Sequence, residues 1–195
     1  MTVSRTEVEN AVASARSKPE RTLYLGALLE KATGEEAIVV GGSAVEIYTS
    51  GRTSTNDIDV VMPRAKALKV VKSWGFLPNG RVWRRKDWDV DIDLLGPNFT
   101  GSRLKIQVIS TPYGPVRVAG VEDLLAKRLA ELKHCPTTPL WRKDLAKQVE
   151  ILISEHGNQM DDEYLAFIAR RDDVVDILAD FRQRRRLSKT ERLRV

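Results

Sequence analysis

Apolar residues at the start of the chain recur with helical spacing: Val8, Ala11, Val12 and Ala15 share one face, Pro19 interrupts, and Leu23, Leu25, Leu28 and Leu29 follow as far as Gly34. Two leading helices are expected. The pattern then changes. A strand at Glu36–Val40 meets the turn Gly41-Gly42-Ser43, a helix runs to about Ser50, a polar turn covers Gly51–Asn56, and a strand at Asp57–Met62 is closed by Pro63. Ala65, Leu68, Val70 and Val71 mark a helix near Arg64–Trp74 that Gly75 stops. Gly75–Arg84 reads as a strand broken at Pro78-Asn79-Gly80, and Trp88–Leu95 alternates, with Trp88, Val90, Ile92 and Leu94 on one face and Asp89, Asp91 and Asp93 on the other. Leu104–Thr111 and Pro115–Val118 form a further strand pair. From Val121 the periodicity is helical, in segments Val121–Leu132, Pro139–Ser154, Asp161–Ala169 and Asp173–Arg185. The expected class is α+β, a mixed sheet core flanked by helices with a C-terminal helical region. The divisions are N-terminal helices at 1–34, a core at 35–120 and a helical domain with a basic tail at 121–195.

Composition narrows the chemistry. With 195 residues and 42% hydrophobic content the chain can bury a core. Its apolar runs are far shorter than the roughly twenty residues of a bilayer span. The N-terminus shows no export signal, so a cytoplasmic location without a membrane partner is expected. Cys135 has no second cysteine to pair with, and with only His134 and His156 beside it a Cys/His zinc site is not expected. Magnesium held by carboxylates is the metal to expect. The net charge of +5 is concentrated at the end, where Arg182, Arg184, Arg185, Arg186, Lys189, Arg192 and Arg194 face a single acid, Glu191. Such a tail suits phosphate contacts and equally suits a solvated terminal helix. Trp74, Trp83, Trp88 and Trp141 stand in apolar patterns and are expected in the core rather than stacked on bases.

Residues 41–60 carry the strongest signal. Two glycines after an apolar strand let backbone approach a phosphate closely, and a helix opening at Ser43 turns its N–H groups toward it. Asp57 and Asp59, two apart in a strand, present their carboxylates on one face, where they can share divalent cations. Along the next acidic strand, three carboxylates on one face repel one another and call for something positive opposite. A cation at the site would answer this, and so would neutralisation of an outer sheet face by Arg81, Arg84 and Arg85.

The arrangement Val40-Gly41-Gly42-Ser43 followed, after thirteen residues, by Asp57-Ile58-Asp59-Val60 resembles the DNA polymerase β-type nucleotidyltransferase superfamily. The resemblance implies a nucleotidyltransferase-type mixed sheet and transfer of a nucleoside monophosphate from a nucleoside triphosphate to a hydroxyl, with loss of pyrophosphate. Asp57 and Asp59 correspond to the family's metal-binding pair, holding two Mg²⁺ ions. The third carboxylate falls on Asp93, in Ile92-Asp93-Leu94 before a Gly-Pro turn, with Asp91 as the alternative. Gly41, Gly42 and Ser43 would then position phosphates and Arg52 would offset their charge.

The segment Val118–Leu129 with Arg142-Lys143-Asp144-Leu145-Ala146 is similar to the helical region of small abortive-infection, toxin-like members. By position, this adds Lys127, Lys143 and Asp144 to the nucleotide pocket. That subgroup implies an RNA acceptor, such as a tRNA end, and a cognate toxin or antitoxin protein as partner. AMP transfer onto a protein side chain, a small-molecule acceptor such as an aminoglycoside, and a degenerate domain that binds without chemistry are the alternatives.

Overall fold

The computed structural model describes residues 3–134 and 138–192, and side chains as far as residue 185. Cys135 and the side chains of Arg186, Lys189, Arg192 and Arg194 lie outside what is described. The chain divides into two compact units, one ending at Gly120 and one beginning at Val121.

The first unit is built on a seven-stranded mixed sheet. Its strands are β1 (Ile38–Val40), β2 (Asp57–Val61), β3 (Leu77–Asn79), β4 (Val82–Arg85), β5 (Val90–Leu94), β6 (Gln107–Thr111) and β7 (Gly114–Val118), in the spatial order β3-β4-β5-β2-β1-β7-β6. β2 lies antiparallel to β1 and parallel to β5, with Asp57 opposite Asp91 and Asp59 opposite Asp93. Because side chains alternate across a strand, Ile58, Val60, Ile92 and Leu94 enter the core on one face. The four aspartates take the other face.

Helices α1 (Arg5–Ser14), α2 (Lys18–Thr33) and α4 (Arg64–Ser73) contribute to that core with Val8, Ala11, Leu25, Leu28, Ala67 and Val71. The break between the first two helices comes before Pro19, not at it. Ser17 caps α2 by accepting the Glu20 N–H, and Pro19 sits in the first turn, where its missing N–H costs nothing. Gly26 lets α2 press onto the sheet, since a Cβ there would come 2.7 Å from Val116 Cγ2. Helix α3 (Gly41–Tyr48) links β1 to β2 and begins at the glycines themselves, two residues earlier than the spacing suggests.

The expected strand at Trp88–Leu95 starts later. Lys86–Trp88 is a single 3-10 turn, and Asp89 takes a left-handed conformation (φ 50°) before β5 begins at Val90. The apolar alternation runs through this turn because Trp88 still packs inward, edge-on to Phe76 at 5.7 Å.

The second unit consists of α5 (Val121–His134), α6 (Pro139–His156), α7 (Asp162–Arg171) and α8 (Val175–Arg192). Leu125, Leu129, Leu145, Leu152 and Ile168 fill its interior. Thr138 and Asp161 cap α6 and α7 by accepting N–H groups of Trp141 and Tyr164. Glu122 ties two of the helices together by accepting the Asp161 N–H at 2.8 Å. Trp74 is fully buried and Trp83 and Trp88 pack against the core, but Trp141 does not, contrary to the sequence expectation: 53% of it is exposed. It lies in the first turn of α6, ahead of the first buried position, Leu145. Among the described residues no helix is long and apolar enough to cross a membrane.

Candidate active site

Asp57, Asp59 and Asp93 converge. One carboxylate oxygen from each lies within 4.8 Å of the other two. Strand pairing creates this cluster: β2 supplies two acids on one face, and in-register parallel pairing brings Asp93 of β5 directly beside Asp59.

Each acid is held differently. Asp59 is fixed from both ends, since its N–H donates to Ser43 Oγ at 3.2 Å and its Oδ2 accepts the Gly42 N–H at 3.3 Å. The Ser43 hydroxyl donates in turn to Val40 O at 3.0 Å, so this fully buried side chain braces the start of α3 against β2. What Ser43 can offer a ligand is therefore backbone, along with the other N–H groups of the first helical turn that lack intrahelical partners. Asp57 Oδ1 accepts the Thr55 hydroxyl at 3.0 Å, and the Lys18 ammonium donates to Thr55 O.

The glycines are demanded by this packing. Gly41 has φ 62°, and a Cβ on it would overlap the Asp59 carboxylate; a Cβ on Gly42 would fall 2.9 Å from Thr55 Oγ1. The turn has no space for side chains because Asp59 and Thr55 occupy it.

Asp93 is the most buried of the three, its side chain 3% exposed. Burial pushes its carboxyl above the usual carboxylate range; Arg81 and Arg64 pull against that, and Asp57 adds to it. Arg81 Nη2 stands 2.9 Å from Asp93 Oδ2, yet that oxygen receives no hydrogen bond. The attraction is Coulombic and ill-directed. A buried oxygen of this kind, among three hard oxygen donors and no sulfur or imidazole, fits a Mg²⁺- or Mn²⁺-type cation.

Asp91 shares the acidic face but stays outside the triad and is instead engaged by Arg84 Nε at 3.4 Å. Asp89 is exposed, 3.6 Å from Arg84. The hairpin arginines named from the sequence as neutralising groups thus do sit on these acids, except for Arg85, which turns to Asp87 and Glu9. Arg52 is exposed after α3, its Nε donating to Thr49 O at 3.4 Å.

Lys127, Lys143 and Asp144 all belong to the helical unit. Lys127 is exposed on α5 and depresses the pKa of Asp172, behind the larger effect of Arg171. Lys143 lines a cavity of about 310 Å³ with Leu132, Arg142 and Phe181. Asp144 is exposed on α6. Sequence reasoning missed Lys18 as a support for the Thr55 turn and Arg64 as a cation felt by Asp93. Arg64 could have been found from its place directly after the metal-type strand, whereas Lys18 lies 37 residues from Thr55 and left no local signal.

No protein-family model and no curated protein matches the chain. Solved structures do. An antigenic nucleotidyltransferase-like protein from Paracoccidioides brasiliensis superposes with a TM-score of 0.55 at 13% identity, over 72% of this chain and 77% of that one. The antibiotic-resistance factor ANT(2'')-Ia superposes with a TM-score of 0.51 at 14% identity, over 99% of this chain and 100% of that one. The mixed sheet with its C-terminal helices therefore has the nucleotidyltransferase-type fold.

Proposed function

We propose that the protein is a Mg²⁺-dependent nucleotidyltransferase that moves a nucleoside monophosphate from a nucleoside triphosphate to a hydroxyl acceptor. The observation that carries this reading is the convergence of Asp57, Asp59 and Asp93 beside a glycine turn that opens a helix. Asp57, Asp59 and Asp93 would hold Mg²⁺, two ions in the full site. When bound, Mg²⁺ supplies charge neutralisation to the triphosphate and acidifies the attacking hydroxyl.

The chain's own groups do the rest. Gly41, Gly42 and Ser43 form the turn that would receive the outer phosphates, with the Gly42 N–H already given to Asp59, and Arg52 is assigned to offset their charge by resemblance. Asp93 would complete the cation site that acidifies the acceptor's hydroxyl, whose proton passes to solvent as the new bond forms. The acceptor oxygen bonds to the α-phosphorus, the bond from that phosphorus to the bridging oxygen breaks, and pyrophosphate leaves. Lys127, Lys143 and Asp144 are assigned to the nucleotide pocket by resemblance.

RNA is the proposed acceptor. The exposed Trp141 beside exposed Arg142 and Lys143 supports this, as does the basic composition of α8, because stacking surfaces next to cations are what single-stranded nucleic acid binds. A small-molecule acceptor is the second reading, favoured by the overlap along the whole length of both chains with an antibiotic-resistance factor. The test is incubation with Mg²⁺, each α-labelled nucleoside triphosphate and, separately, total RNA, cell-extract protein and an aminoglycoside, beside an Asp57→Asn/Asp59→Asn control. Label in RNA that the control abolishes is the expected result. Label in protein would point to AMP transfer onto a cognate toxin or similar partner, label in the aminoglycoside to the second reading, and label nowhere would refute transfer.

A further inference from the structure

Three arginines of the β3–β4 hairpin sit near acids, and they are held in three different ways. Arg85 is buried, pairs with Asp87 at 2.7 Å and Glu9 at 3.0 Å, donates to Trp74 O and lies 4.0 Å over the Trp88 ring. It is fixed in place. Arg84 spans Asp89 and Asp91. Arg81, at the hairpin tip just after Gly80, is the loose one. Its side chain is 72% exposed, and Asp93, the acid it reaches, is 3% exposed. The contact joins the most exposed of the three side chains to a buried carboxylate, without a hydrogen bond to Asp93 Oδ2, just as Asp91 Oδ1 has none from the less exposed Arg84.

Charge explains why it is there. Arg81, with a smaller contribution from Arg64, only partly neutralises three carboxylates and leaves the cluster attractive to a divalent cation. Once such a cation is bound, the guanidinium faces a like charge at close range. Its exposed side chain can swing away at little cost, and the next anion within reach is the phosphate of an incoming nucleotide.

We propose that Arg81 is a resident counter-ion of Asp93, displaced when a divalent cation enters and then taken up by the nucleotide's phosphates, so that cation and nucleotide bind cooperatively. This rests on the cation-site reading of Asp57, Asp59 and Asp93. Coupling of this kind is reciprocal: each ligand strengthens the other by the same factor.

The test uses the full chain and two probes, Mn²⁺ alone followed by electron paramagnetic resonance and the Mn²⁺–tripolyphosphate complex followed by calorimetry. Arg81→Met is expected to bind Mn²⁺ alone about 3- to 10-fold more tightly than the wild type, and the complex about 10-fold more weakly. Arg81→Lys should stay near the wild type for Mn²⁺ alone, which also guards against misfolding of the Met variant. Arg84→Met, which removes one cation from the same hairpin outside the triad, should change Mn²⁺ binding by less than about 2-fold. Unchanged or weaker Mn²⁺ binding by Arg81→Met, or an equal gain in Arg84→Met, overturns the role of Arg81 and leaves the cation site standing. Absence of Mn²⁺ binding in every protein, with and without tripolyphosphate, overturns the cation site and the role of Arg81 with it.

Discussion

Replacing Asp93 by Asn should make the metal-free protein more stable while removing its response to metal. At an effective dielectric of about 20, two carboxylates 4.8 Å apart repel by about 3.5 kcal/mol. Asp57 and Asp59 are only half-buried, so water screens each pair to about 1 kcal/mol. Arg81 returns about 1 kcal/mol or less, because its guanidinium is largely in solvent. Neutralising Asp93 also removes the cost of holding a charge at a nearly inaccessible position. The net gain for Asp93→Asn is about 1–2 kcal/mol, or a rise in Tm of about 2–8 °C for a chain of this size. Scanning calorimetry in a chelator measures it. The same scan with Mg²⁺ should raise the wild-type Tm and leave the variant unchanged, since the variant offers one carboxylate fewer. An Asp93→Asn protein that melts at or below the wild type in chelator would refute the view that the three acids strain one another.

Two further changes test the surroundings of the triad. Gly41→Ala puts a side chain at φ 62° and against the Asp59 carboxylate, so it should cost about 1–3 kcal/mol by denaturant titration and lower label transfer at least about 100-fold; a variant that transfers at the wild-type rate would show that Asp59 need not be held there. Glu46 on α3 is buried with Oε2 lacking a hydrogen bond, and burial raises its pKa against the pull of Lys18. A raised carboxyl pKa imposes a penalty that is absent below the ordinary carboxylate range, grows as pH rises toward the folded-state value and persists above it. Glu46→Gln should therefore be more stable by about 1 kcal/mol at pH 8, the gap shrinking as pH falls through the folded-state value and gone below about 4; a gap that does not change with pH would refute the assignment.

The part of the site legible in the sequence is the part written in short-range code. Gly41-Gly42 and Asp57-x-Asp59 are spaced along one strand–helix–strand passage, so their chemistry follows from the periods of those elements. Asp93 against Asp91 is a different kind of question. Both lie on the same face of β5, and what separates them is strand register, which sets Asp93 opposite Asp59 and Asp91 opposite Asp57, together with Arg84 beside Asp91. Ser43 was legible as part of the first helical turn but not as a brace, because its partners Val40 O and Asp59 N–H meet only when β1 and β2 pair. Trp88 and Trp141 show the limits of apolar patterning. The alternation around Trp88 carries on through a turn, and the helical spacing around Trp141 belongs to residues further along α6, beginning at Leu145.

Departures from ordinary folding rules occur elsewhere, at Asp173 with its positive φ and at the buried Trp74 Nε1 and Arg128 Nε without hydrogen bonds, but four of them share the surroundings of the triad. A helix begins with a glycine at positive φ, a carboxylate is buried with an oxygen lacking a hydrogen bond, a second acid is buried inside α3, and like charges stand side by side on paired strands. Each would be removed by a single conservative change, and Gly42 and Ser43 help to hold one of them in place. Local inconsistencies grouped in this way are where a sequence gives up stability for a site, in keeping with the function proposed for the triad. Arg81 fits the same logic. A fully matched counter-ion would have quieted the acids for good, as Asp87 and Glu9 do for Arg85, whereas an exposed and ill-directed one stabilises the acids only as far as a divalent cation can undo.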